Sequence, residues 1–247
     1  MDTPDKPCSD SAVINPSLSS LAKWINPLHF QMENLQASHK RLESDPLSLL
    51  VLDDFLLPSV ANRIANFLRE EAEYKREYQS RSKEFLNQDA WEELPEAERL
   101  YRFLVIHRVK PSCLMSKNWL TFLAFNDIFK QSPCFSFMES ASGMQFCDAR
   151  IAGIHGHEAE DMITWHADAG RNKDFCGTLY LAPDWNESDG GELEIKRESE
   201  ENYLITPTFN RLVLFKTDKQ TVHRVRPHAP SAVDKVRYSY VFWYRKV

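Results

Sequence analysis

Two stretches of the chain carry residue types that bind metals: Trp165-His166-Ala167-Asp168 and, far downstream, Val222-His223-Arg224-Val225. His166 and Asp168 stand two apart at the end of what reads as a short strand, where positions i and i+2 face the same side. The chain thus aims an imidazole and a carboxylate at one point without long-range help. A third ligand has to come from elsewhere, and His223 opens another expected strand. Two neutral imidazoles and one carboxylate form the donor set of the 2-His-1-carboxylate facial triad. That triad holds non-haem Fe(II) and leaves open positions for oxygen and an anionic co-substrate. A His-x-Asp tripeptide arises often by chance, so the weight falls on what accompanies it.

Arg237 is the main companion. It begins the last expected strand, in Arg237-Tyr238-Ser239-Tyr240, among apolar and aromatic residues. A guanidinium buried there is costly unless a carboxylate pairs with it, and a bidentate carboxylate ligand meets that need. Tyr180, on a strand soon after His-x-Asp, can place its phenol on the same carboxylate. The plainer readings are an exposed strand arginine and a core tyrosine. His155, His157 and His228 read as loop or strand-edge residues, with His155 alone a candidate for lining a pocket. Trp165 and Trp243 are candidates for the pocket mouth, although core packing is the simpler role. Arg150, Arg171, Arg224 and Arg226 are candidate contacts for an anionic substrate, with surface charge the plainer reading.

The elements that must position these residues fall into two textures. Residues 1–45 read as a flexible N-terminal segment, with a short docking helix near Leu18 to Trp24. Residues 46–247 read as a single domain, with helical support over 46–133 and a β core over 134–247. Leu49 to Leu52 reads as a strand, and Pro58-Ser59 opens a helix whose Val60, Ile64, Phe67 and Leu68 share a face. Arg69 to Lys83 reads as a solvated helix end or loop. Further helices are expected over Pro95 to Val105 and over Met115 to Lys130. The second of these is expected to turn Leu120, Leu123, Ala124 and Ile128 inward and to end at Pro133. All 7 glycines lie from Gly143 onward, among short β-branched and aromatic runs. Strands are expected near 144–152, 162–165, 176–181, 192–195, 203–205, 211–216, 221–225 and 237–244. The fold class is therefore α+β with a mainly β core, a jelly roll flanked by N-terminal helices.

Composition narrows the setting. The 247 residues are 43% hydrophobic and 12% aromatic, enough for a sizeable core. Lys+Arg 30 against Asp+Glu 36 leaves a net charge of -6, which offers no global positive field for nucleic acid. No apolar run approaches the length of a membrane span, and Met1 to Pro16 lacks the pattern of a secretory signal. The 5 cysteines are scattered, with no C-x-x-C pair. A reducing, intracellular and cytoplasmic setting follows as the expectation.

The motifs, in order, resemble the Fe(II)/2-oxoglutarate-dependent dioxygenase superfamily, and within it the prolyl-hydroxylase-like group. The stretches that carry the resemblance are Trp165 to Asp168, Leu179 to Trp185, Asp189-Gly190-Gly191-Glu192-Leu193, Asn210 to Phe215, Val222 to Val225 and Arg237 to Tyr244. They span roughly Met144 to Tyr244, and Leu52 to Leu56 matches more weakly. The resemblance implies a double-stranded β-helix, with His166, Asp168 and His223 on iron. It implies that Arg237 binds the distal carboxylate of 2-oxoglutarate, with Tyr180 and Ser239 beside it. Fe(II), 2-oxoglutarate and O2 are the implied cofactor and co-substrates, and ascorbate is an optional reductant. The implied reaction hydroxylates an unactivated C–H bond while 2-oxoglutarate is decarboxylated to succinate. The carboxylate at 168 implies hydroxylation and not halogenation, and arginine rather than lysine at 237 departs from the collagen-type enzymes.

A protein or peptide residue such as a peptidyl proline is the substrate that the resemblance favours. A free amino acid or small natural product fits the chemistry equally well. The reading from another class is a non-catalytic, cupin-like binding module, against which the intact triad argues. Oligomeric state is not encoded in any of these features.

Overall fold

The computed structural model describes residues 16–168, 170, 173–197 and 201–247. Its strands, in chain order, are β1 Leu50–Leu52, β2 Ala72–Ser80, β3 Phe85–Leu86, β4 Arg99–Val109, β5 Phe146–His157, β6 Met162–Ala167, β7 Phe175–Tyr180, β8 Leu193–Ile195, β9 Tyr203–Ile205, β10 Leu212–Lys216, β11 Val222–Val225 and β12 Arg237–Lys246. The helices are α1 Met32–Ser44, α2 Pro58–Asn66, α3 Gln88–Glu92, α4 Lys117–Ile128 and α5 Ser132–Ser142. All pairings within the sheet are antiparallel. The strand path runs β1-β10-β7-β12-β5-β4-β6-β11-β8-β9 and curls into the expected jelly roll. β4 makes the turn between the layers, because Leu104 pairs with Gly156 of β5 while Tyr101 pairs with Ile163 of β6.

Period-2 alternation on β12 explains the layering. Tyr238, Tyr240, Phe242 and Tyr244 point to the helices and join their core. Arg237, Ser239, Val241 and Trp243 point the other way, into a cavity between the two layers. β7 repeats the division, with Leu179 on the helix side and Cys176, Thr178 and Tyr180 facing the cavity. On the helix side Gly177 leaves room for a ring: a Cβ there would lie 2.1 Å from Phe242 Cζ.

The eight expected core strands all form, but several expectations for the N-terminal half are overturned. Residues 1–15 of the expected flexible segment lie outside the described residues. The docking helix expected near Leu18 to Trp24 forms as a short 3-10 helix, Pro16–Lys23, but the rest of this segment is packed too: Leu18, Leu21, Ile25, Phe30, Leu35 and Leu42 are buried in the main core. The segment Arg69 to Lys83 contains strand β2, not a solvated end. The helix expected over Pro95 to Val105 is mostly strand β4, pairing along its length with β2. α4 forms as expected and buries Ile128 as expected, but its inward face is otherwise different: Phe122 and Phe125 are buried, whereas Leu120 and Leu123 are 43% and 48% exposed. The larger aromatic rings fill the space over β12, which tells against a face chosen by leucine spacing. Pro133 does not close that helix into the β core; it sits in the first turn of α5, where a missing N–H costs nothing.

Candidate active site

Neighbouring strands bring the histidines of the two motifs together. His166 on β6 and His223 on β11 are direct cross-strand partners, with ring centroids 4.2 Å apart. Asp168 follows the last residue of β6. Its Oδ1 lies 4.0 Å from His166 Nε2, and its Oδ2 lies 3.7 Å from His223 Nε2. One donor atom from each of the three side chains lies within 4.8 Å of the other two.

Backbone carbonyls orient both rings. His166 Nδ1 lies 2.9 Å from Thr164 O, and His223 Nδ1 lies 3.1 Å from Thr221 O. Each Nδ1 donates its proton there, which leaves Nε2 with a free lone pair facing Asp168. Tyr101 and Phe215 pack edge-on against the two rings. Burial pushes His166 down to about 4, with His223 adding to the effect, and burial also lowers His223. Both imidazoles are therefore neutral at neutral pH, the form that binds a metal. Burial alone would raise Asp168, but Lys173 and the two histidines outweigh it and hold the carboxyl below its ordinary range.

Two contacts on Asp168 are absent from the sequence expectations. Trp243 Nε1 donates to Oδ2 at 3.0 Å, and Lys173 Nζ donates to Oδ1 at 3.0 Å. Lys173 Nζ also lies 3.8 Å above the Trp243 ring. No motif marks Lys173. Trp243 was legible as a cavity-facing residue from its period-2 phase with Arg237.

The same cavity, of about 110 Å³, is lined by Tyr180, Arg237 and Ser239 in addition to the triad. Arg237 is 2% exposed and faces no carboxylate partner among the described residues. Its guanidinium carbon lies 4.8 Å from the centre of the Tyr180 ring. Among the described residues, neither Arg237 Nε nor the Tyr180 hydroxyl, both buried, has a hydrogen-bond partner. Ser239 pairs with Tyr180 across β12 and β7, and its hydroxyl donates to His155 O at 3.4 Å. A carboxylate-bearing ligand is the chemistry that would satisfy these donors. Gly191 packs against the stem of Arg237, and a Cβ there would lie 3.0 Å from Arg237 Cδ.

The remaining sequence candidates divide. His155 lines the cavity, stacked on Phe103 with centroids 4.3 Å apart. His157 is 0% exposed, so the strand-edge reading fails for it. Trp165 points away from His166 on β6 and lies between Lys196 and Arg224, at 4.7 and 4.5 Å, rather than at the mouth. Arg224 and Arg226 pair with Glu194 and Glu192, and Arg150 is exposed. Arg171 lies outside the described residues. Tyr101 and Phe103 of β4 line the cavity from a segment expected to be helical.

Residues 152–245 match the 2OG-Fe(II) oxygenase superfamily. This region is a 2OG-Fe(II) oxygenase domain. The match carries with it Fe(II), 2-oxoglutarate and O2, and the His-Asp-His donor set fits the metal. The protein is accordingly an enzyme, a dioxygenase that is prolyl-hydroxylase-like in fold.

A prolyl hydroxylase from Trichoplax adhaerens, solved with a hypoxia inducible factor oxygen degradation domain peptide fragment, is similar with TM-score 0.58 and 16% identity, over 86% of this chain and 90% of that one. A Pseudomonas putida prolyl-4-hydroxylase is similar with TM-score 0.55 and 19% identity, over 86% and 99%. A 2OG-Fe(II) oxygenase family oxidoreductase from Burkholderia pseudomallei is similar with TM-score 0.55 and 15% identity, over 85% and 90%. At these identities the likeness is one of fold. No curated protein matches the sequence significantly. No helix among the described residues is long and apolar enough to cross a membrane.

Proposed function

We propose that the enzyme hydroxylates an unactivated C–H bond of a protein or peptide residue, with iron on His166, Asp168 and His223. Arg237 holds the distal carboxylate of 2-oxoglutarate, and the Tyr180 and Ser239 hydroxyls complete its hydrogen bonds. The observation that carries this reading is the buried arginine, without a carboxylate partner among the described residues, in the same cavity as the three metal-type donors. Fe(II) and 2-oxoglutarate supply oxygen activation, with succinate and CO2 as co-products.

The chain's own residues do the positioning. Thr164 O and Thr221 O fix the tautomers, and Trp243 holds one oxygen of Asp168. Tyr101, Phe103 and Phe215 keep water from the cavity walls. A peptide substrate is supported by the peptide seen with the Trichoplax prolyl hydroxylase. The competing small-molecule reading predicts turnover of free amino acids and none of peptides. The test is oxygen-dependent succinate formation with Fe(II), run on peptide and amino-acid libraries, with mass spectrometry for gain of one oxygen atom. Coupled succinate and oxygenated peptide support the proposal. Oxygenated amino acids alone overturn its substrate class, and binding without turnover of any substrate favours the cupin-like module.

A further inference from the structure

Three polar side chains face the cavity along one rung of the sheet. Ser239 of β12 is the cross-strand partner of His155 on β5 and of Tyr180 on β7, and all three line the cavity. Arg237 stands two residues before Ser239 on the same face of β12, with its guanidinium carbon 4.8 Å from the Tyr180 ring. The rung therefore borders the seat of the guanidinium, with Tyr180 on one flank of Ser239 and His155 on the other. Phe103 occupies a face of the His155 ring, stacked at 4.3 Å and 27°. Stacking engages the ring face and leaves the ring edge, which carries both nitrogens, for the cavity. No described residue hydrogen-bonds to either nitrogen; the Ser239 hydroxyl goes to the backbone carbonyl of His155 instead. A polar edge removed from water is costly unless a ligand completes it. His157 and His228 also lack partners among the described residues, but neither lines the cavity.

We propose that His155 is a further co-substrate-binding residue: its imidazole N–H donates to the distal carboxylate of 2-oxoglutarate from the flank opposite Tyr180. This rests on the reading of Arg237 as the carboxylate anchor. A carboxylate offers several lone pairs, and a site that excludes water has to meet them with its own donors. The Ser239 hydroxyl has a single proton and also faces the His155 carbonyl, so this flank has room for a full donor. The neutral imidazole suits the place. Burial, opposed by Asp168 and reinforced by Arg237 and Lys173, lowers His155 to about 4, so at neutral pH the ring carries one N–H and no charge. The cavity thereby gains a donor without burying a second cation beside Arg237.

The test compares two ligands on Mn(II)-loaded enzyme by calorimetry: 2-oxoglutarate, and 2-oxopentanoate, which has the same chain without the distal carboxylate. His155→Leu should weaken 2-oxoglutarate about 10-fold or more, the effect of one lost hydrogen bond to a charged group, and leave 2-oxopentanoate unchanged. His155→Gln, which keeps an N–H donor, should restore part of the loss. Unchanged 2-oxoglutarate binding in His155→Leu, or equal weakening of both ligands, overturns the inference. If His155→Leu does not fold, the imidazole N–H signals of Zn(II)-loaded wild-type enzyme decide, with the His155 signal identified by its loss in His155→Gln. A signal that moves downfield with 2-oxoglutarate and not with 2-oxopentanoate supports the inference. A signal that moves with neither, or equally with both, overturns it. Arg237→Ala tests the underlying reading separately. If it spares 2-oxoglutarate binding, the anchor assignment fails; if it abolishes binding while His155→Leu does not weaken it, only the inference fails.

Discussion

Trp243 and Asp168 are joined by a 3.0 Å hydrogen bond from the indole N–H to Oδ2, so the last strand of the chain holds the carboxylate that follows β6. Groups that orient a metal ligand in this way contribute about 10–100-fold to metal affinity. Trp243→Phe keeps an aromatic wall and removes the donor. We expect it to weaken Fe(II) binding at least about 10-fold, with far-UV circular dichroism unchanged. Anaerobic metal titration is the check, and wild-type affinity would show that Asp168 is held by other means.

Arg237→Ala should raise the 2-oxoglutarate concentration needed for half-saturation by about 100-fold or more, with Fe(II) affinity changed little. The guanidinium is buried beside Tyr180 rather than among the metal donors. Tyr180→Phe should have a smaller effect in the same direction, because it removes one neutral donor. Saturation curves in 2-oxoglutarate at fixed metal measure both, and an unchanged requirement in Arg237→Ala would reassign the residue.

How much of this was legible in sequence follows from range. His166 and Asp168 needed only the two-residue period of a strand, and the alternation of Arg237 to Tyr244 already separated a cavity face from a core face. β2 and β4 were not legible because each is read through its partner. Glu73 finds Arg108 on β4 while Arg76 finds Glu158 and Asp161 far along the chain, and Tyr101 and Phe103 gain meaning only when β4 bridges to β6. In α4, apolar residues surround the whole helix, so its sequence does not choose between the Leu120 face and the Phe122 face. Lys173 meets Asp168 from five positions downstream, a contact that no spacing rule describes.

Acid should destabilise the fold through its buried histidines. Burial holds His155 at about 4 and His157 well below 6.5, whereas both titrate near 6.5 when unfolded. The unfolded chain then binds more protons as pH falls. Stability is full above the unfolded value and is lost as pH drops from 6.5 toward the folded value of about 4. For one such histidine the loss at about pH 5 is roughly 2 kcal/mol, which lowers Tm by at least about 5 °C relative to pH 7.5. Thermal unfolding of the metal-free protein across this range is the measurement. A flat Tm would mean that these rings are solvated.

Gly177→Ala should destabilise the domain by about 1–3 kcal/mol, since the new Cβ would meet the Phe242 ring at 2.1 Å. Combining it with Phe242→Leu should recover part of the loss. Denaturant unfolding of the single and double variants checks this, and equal effects in both backgrounds would place the strain elsewhere.

The most direct test of the site is anaerobic titration of the Fe(II)-loaded enzyme with 2-oxoglutarate, following the visible charge-transfer absorption of a keto acid chelated to iron. The account predicts a band that saturates at one co-substrate per chain. That band should be lost in His166→Ala, Asp168→Ala and His223→Ala, and should appear only at much higher 2-oxoglutarate in Arg237→Ala. No band in the wild-type enzyme, or an undiminished band in any of the three triad variants, would contradict it.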